Sequence, residues 1–146
     1  MNARIVEIRA LDKKLESLPL SNNIVPRNKG WINSVREAIG MTALQLAKRL
    51  GVTQPRIVAM EKNEDNLKLS TFKKVAQAMN CEFVYYFKPK TSLQKIVEDQ
   101  AVVKASEIYK DVNLNMSLEA QGISVEEAVN DLALAFINNK TKQIWE

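Results

Sequence analysis

Histidine is absent from the 146 residues, and cysteine occurs once, as Cys81. Without imidazole, neither a Ser-His-Asp nor a Cys-His pair can be assembled, and a zinc site lacks its usual nitrogen ligands. A single thiol cannot close an internal disulfide, so the chain needs no oxidising compartment. Neither a Walker-type glycine loop nor a GxGxxG fingerprint occurs to cradle a phosphate. Glu126 and Glu127 are neighbours in sequence, and on a helix they point about 100° apart, which spoils them as an acid–base pair. No catalytic residue, metal or cofactor is expected, and the chain does not read as an enzyme. Apolar runs fall short of the roughly 20 residues that span a bilayer. The opening Met1-Asn-Ala-Arg lacks the pattern of a secretory signal. The expectation is a cytoplasmic protein with no membrane partner. Glycine and proline number four each, and long stretches contain neither, which favours helices.

What is present is an ordinary globular balance, 46% apolar and 26% charged, unevenly distributed. Residues 1–90 hold 16 Lys/Arg against 8 Asp/Glu, whereas residues 91–146 hold 5 against 9. Such asymmetry suggests a module that faces a polyanion, followed by one that does not.

Residues 1–18 place Ile5, Ile8, Leu11 and Leu15 at helical spacing and read as an amphipathic helix. The turn-rich stretch 19–30 is a linker, and its basic tip, Arg27 and Lys29, reads as solvated. Four short helical patterns fill residues 31–80. Trp31–Ile39 stops at Gly40; Thr42 caps Ala43–Leu50, which stops at Gly51. Thr53 caps about Gln54–Glu61, with Pro55 in the first turn, and Ser70 caps about Thr71–Met79. In residues 81–90, Cys81–Phe87 is β-branched and aromatic and predicts the chain's single strand. A lone strand needs an edge to pair with. Phe83, Tyr85 and Tyr86 therefore predict a strand paired across a dimer, with packing on the chain's own helices as the equal alternative. Residues 91–146 predict a helical dimerisation or partner region: Ser92 caps a stretch to about 120, weakened at Asn113 and Asn115, and a last helix covers about Val125–Asn138. Trp145 is expected to dock, and Cys81 to be an inert small hydrophobe.

Residues 42–61 carry the functional signal. Two capped helices are joined by Leu50-Gly51-Val52-Thr53; Ala47 is small where they cross, Gly51 permits a left-handed turn, and Val52 plugs the gap. With Ile57 and Met60 inward, the second helix projects its N-terminal half, shaped for a major groove. Gln54 suits an adenine edge, Arg56 a guanine or a phosphate, and Pro55 and Ala59 a thymine methyl. Thr42 and Thr53 at helix N-termini, with Lys62, Asn63 and Lys68 beyond the second helix, suit phosphates.

These residues resemble the helix-turn-helix domain of the phage repressor/Cro (XRE) class. The resemblance implies that Arg36 of the first helix pairs with Glu61 ending the recognition helix, and that the readers lie at Gln54, Pro55 and Ala59. Where that class carries a phosphate-touching Gln at the start of the preceding helix, this chain has Ala43. The whole chain is similar to the mobile mystery protein A family. The marks are Leu11-Asp-Lys-Lys-Leu15, Gly30-Trp-Ile, Val35 to Thr42, Leu50 to Pro55, Cys81 to Tyr85 before Lys88-Pro-Lys, and the closing Ile144-Trp-Glu. That similarity implies a regulator encoded beside a Fic/Doc-domain protein, in the manner of an antitoxin and its toxin. The inhibitory helix of Fic regulators needs a Glu where Ser117 to Gly122 offers Gln121; an amide cannot supply the charge-assisted pairing, so this stretch is not read as an inhibitor.

The expected fold is mainly α: an XRE-type bundle of short helices, one β-strand and a C-terminal helical extension. The expected function is a homodimeric, sequence-specific regulator that binds double-stranded DNA, an autorepressor reading a palindrome. The alternative is an interaction module that neutralises a toxin through its C-terminal helices.

Overall fold

A computed structural model of the protein describes residues 3–20, 26, 29–110 and 112–146, with residues 112 and 113 as backbone only. Arg27, the expected basic tip of the linker, lies outside the described residues. The chain divides into two compact units. One is the continuous stretch Pro19–Phe87; the other joins the chain up to Leu18 with Lys88–Glu146. The chain is mainly helical, and among the described residues no helix is long and apolar enough to cross a membrane.

The continuous unit contains α2 (Trp31–Ala38), α3 (Ala43–Leu50), α4 (Gln54–Lys62), a 3-10 turn (Glu64–Asn66) and α5 (Leu69–Ala78). Left-handed glycines end α2 and α3: Gly40 has φ +73° and Gly51 φ +67°. There a Cβ would meet the carbonyl, so only glycine is unstrained. The Gly51 turn closes with Val52 N–H donating to the Ala47 carbonyl at 3.0 Å. Ile32, Leu46, Ala47, Ile57, Met60, Val75 and Met79 form the core, and Val52 packs against it as the expected plug. Burial drives this assembly, because helices of eight to ten residues are marginal in water by themselves.

Three sequence expectations change here. Ser70 does not cap α5; Lys68 is the N-cap residue, and its carbonyl already accepts from the Thr71 and Phe72 amides at 3.0 and 3.1 Å. The expected β-strand over Cys81–Phe87 is not formed, nor is any strand among the described residues. A ladder requires a second edge, and here side chains decide instead. Phe83 stacks on Phe72 of α5 (centroids 4.6 Å apart, planes at 7°), Tyr85 follows at 5.9 Å, and Lys73 Nζ lies 5.6 Å from the Tyr85 ring centre. The Tyr86 hydroxyl donates to the Pro19 carbonyl at 2.8 Å. Within the chain, Phe83, Tyr85 and Tyr86 thus join no β-ladder and pack instead as the sequence alternative has it, with Phe83 on the chain's own helix α5. Cys81 is exposed rather than buried.

The discontinuous unit contains α1 (Ala3–Glu16), α6 (Leu93–Ile108), α7 (Val112–Ala120), α8 (Val125–Asn139) and a 3-10 turn (Thr141–Trp145). Ala101 and Ala105 let α6 approach Val129, Ala133 and Phe136 of α8, and Ile144 closes the same core. The break between α6 and α7 comes before Asn113 rather than within 113–115, since Tyr109 caps α6. Trp145 does not dock: it is 58% exposed while its neighbour Ile144 is fully buried. Helix α1 is bound at its C-terminal half. The Asp12 carboxylate accepts from the Leu93 and Gln94 amides (2.6 and 3.1 Å), capping α6 beside Ser92, whose hydroxyl accepts from Lys95 N–H. In return, Lys88 Nζ donates to the Leu15 and Glu16 carbonyls at 2.7 and 3.1 Å, satisfying the end of α1.

Candidate nucleic-acid interface

Helix α3 begins with a reciprocal capping box. Thr42 Oγ1 accepts from Gln45 N–H at 3.1 Å, and Gln45 Oε1 accepts from Thr42 N–H at 2.8 Å. The Thr42 amide is therefore occupied, and only its hydroxyl hydrogen remains to donate to a phosphate. At the start of α4, Thr53 stands as N-cap residue but makes no side-chain cap, because its carbonyl takes the Arg56 and Ile57 amides (3.1 and 3.3 Å). Its exposed side chain and the Gln54 N–H point to an open helix end, with Pro55 contributing no donor of its own.

Along α4 the division of labour is clean. Ile57 and Met60 are buried; Gln54, Pro55, Arg56, Val58 and Ala59 are exposed. Val58 was not among the residues expected to read DNA. At 38% exposure it extends the apolar surface of Pro55 and Ala59 along the outward side. Counting helical positions outward from Ile57 and Met60 would have found it. Lys62, Asn63 and Lys68 are exposed beyond the helix end, and neither lysine has an ion-pair partner among the described residues. Asn63 Oδ1 accepts from Asn66 Nδ2 at 2.6 Å, so its carbonyl is taken while its amide nitrogen stays available.

What holds this surface still is α2. Arg36 Nε and Nη2 donate to Glu61 Oε1 and Oε2 at 2.5 and 3.2 Å, a two-pronged pair. The remaining Arg36 nitrogen donates to the Met41 carbonyl at 2.9 Å, and Asn33 Nδ2 adds a third donor to Glu61 at 3.0 Å. Both side chains are nearly buried, at 12% and 11% exposure. Burial pushes the Glu61 pKa up, but the hydrogen bonds from Arg36 and Asn33 and the arginine's charge outweigh it, leaving the carboxyl below its ordinary value. The same bond to Glu61 raises Arg36. A pair this dry is strong only because its donors and acceptors are matched.

A second acid, Glu64, was missed by sequence reasoning. Gly30 offers no side chain to cap α2, and the Glu64 carboxylate does so instead, accepting from Trp31 N–H at 2.8 Å and Ile32 N–H at 2.7 Å. The available signal was negative: a helix start with no Ser, Thr, Asp or Asn must find its acceptor elsewhere. Lys29, whose counterpart Arg27 is not described, pairs with Glu37 at 2.8 Å, in keeping with a solvated linker.

The unit Pro19–Phe87 contains ten Lys/Arg and five Asp/Glu, so the surplus of positive charge travels with the helix pair. The other unit is nearly balanced, with eleven against twelve, because Lys88, Lys90 and the slightly basic α1 offset most of the acidic stretch 91–146.

Residues 32–86 match the family model HTH_3, described as helix-turn-helix. The matched span coincides with the α2–α5 unit, and it supports a DNA-binding regulator of the XRE type. No curated protein and no solved structure matches the chain significantly.

Proposed function

We propose that the protein is a cytoplasmic, homodimeric transcriptional repressor that places α4 in the major groove of a palindromic operator, acting on its own promoter. The carrying observation is the α4 surface: Gln54, Pro55, Arg56, Val58 and Ala59 are exposed on a helix whose buried side and C-terminal end are fixed by Ile57, Met60 and the Arg36–Glu61 pair. In this reading Gln54 and Arg56 supply hydrogen bonds to base edges or, for Arg56, to a phosphate. Pro55, Val58 and Ala59 meet thymine methyls. Thr42, Thr53, Lys62, Asn63 and Lys68 hold the backbone on either side. Two copies joined through α6–α8 would present two such helices to successive grooves roughly 34 Å apart.

The test is a binding titration of the full chain on the duplex just upstream of its own coding sequence, at 50 to 200 mM salt. Affinity is expected to fall steeply with salt, and Arg56→Ala to weaken binding about tenfold at a fixed salt concentration. Affinity that does not change with salt on any duplex would end the proposal.

A second role rests on the discontinuous unit and on the similarity to the mobile mystery protein A family. Val102, Val103, Met116 and Leu134 are exposed apolar side chains on α6, α7 and α8, and in this reading a protein partner covers them. The Fic/Doc-domain protein implied by that similarity is the partner to try, by co-expression and co-purification; a partner that never co-purifies removes this role and leaves DNA binding intact.

A further inference from the structure

We propose that Glu64 is a positioning residue for the phosphate grip, and that Gly30 is glycine so that Glu64 can do this. The inference rests on the DNA-binding reading above and adds the device that fixes its backbone-contacting loop.

Glu64 opens the 3-10 turn Glu64–Asn66, directly between Lys62 and Asn63 on one side and Lys68 on the other. Its side chain reaches across 32 and 33 residues of sequence to the first two amides of α2. Its own carbonyl accepts from Leu67 N–H at 3.0 Å, and Leu67 packs on the core. The loop is thus pinned at a helix start, at the core and, through the Lys68 carbonyl, at the first turn of α5. Lysines on a loop held at three points are presented to a phosphate with little ordering left to do.

Gly30 is the complementary half. A Cβ built there would lie 2.3 Å from Glu64 Oε2 and 2.6 Å from Cδ, well inside contact distance. The backbone at Gly30 (φ −63°, ψ 175°) is ordinary extended chain that any residue adopts. Glycine is therefore required by the carboxylate rather than by the dihedral angles.

Two roles for Glu64 predict opposite signs. An acid that merely neighbours the DNA repels phosphate, and its removal strengthens binding. An acid that positions the loop weakens binding when removed. The experiment compares the full-length wild type with Glu64→Ala, Gly30→Ala and the double variant on the upstream duplex across the same salt range. Circular dichroism confirms the fold, and amide exchange is read at Trp31 and Ile32. Each single variant is expected to lose about tenfold in affinity and to lower the salt slope by about one to two, as if one or two phosphates were released. The double variant should be little worse than either single, since both break one contact. Exchange should quicken at Trp31 and Ile32 while Leu46 and Ile57 stay protected. Should Gly30→Ala fail to fold, Glu64→Gln, which keeps one acceptor oxygen, serves in its place and should show the same change at reduced size. Folded variants with unchanged slope, or with tighter binding, overturn the inference alone. A wild type without salt-dependent binding overturns the DNA reading and this inference with it.

Discussion

At the scale of single residues, charge placement governs stability. Glu61 is held ionised by Arg36 and Asn33 against its own burial, with its pKa below the ordinary 4.5. A lowered carboxyl stabilises the fold fully above its unfolded pKa and loses that contribution as pH falls through the folded value. Urea melts should therefore show stability declining below about pH 4.5, and Glu61→Gln should flatten that decline. Arg36→Ala strands a nearly buried carboxylate and is expected to cost about 3 kcal/mol at neutral pH, measured by the same melts. The Arg36–Glu61 pair was legible in the sequence because both residues occupy positions that the XRE resemblance singles out. Glu64 was not, since nothing within a few positions of it announces a bond to residues 31 and 32. Trp145 misled for another reason: its ring is costly to hydrate, but in the C-terminal turn it is Thr141 and Ile144 that are buried.

Among elements, the boundaries that depend on local chemistry were read well and those that depend on a partner were not. The span Ala43–Leu50 follows from Thr42 at one end and Gly51 at the other, both signals carried within ten residues. Thermal melts should register Thr42→Ala as a loss of about 1 kcal/mol, the usual worth of a cap. Gly51→Ala forces a Cβ into φ +67° and should cost about 1 to 2 kcal/mol through local backbone strain alone, since beyond its chain neighbours nothing lies within 4 Å. The strand over Cys81–Phe87 failed as a reading because β-propensity describes a side chain's fit to a pleated surface, not the presence of a second edge. With Phe72 nearby, the aromatics found a helix to pack on. Ser70 failed similarly: a good capping residue is passed over when the turn before it, closed by Glu64 and Leu67, sets the helix start two residues earlier.

For the molecule as a whole, the informative fact is that the helix nearest the N-terminus belongs with the helices nearest the C-terminus. Periodicity found α1 but could not say where it packs, because Asp12 and Lys88 act across more than seventy residues. Asp12→Ala is expected to speed amide exchange at Leu93 and Gln94 while leaving protection at Leu46 and Ile57 unchanged, a pattern that exchange mass spectrometry would resolve. The same connectivity sets an order of events at the ribosome. The unit Pro19–Phe87 is one continuous stretch and can close once Phe87 has emerged, whereas α1 must wait for Leu93 and Gln94 before its aspartate has amides to bind. A nascent chain paused just as Phe87 clears the exit tunnel would then already carry a closed α2–α5 unit, with α1 still idle.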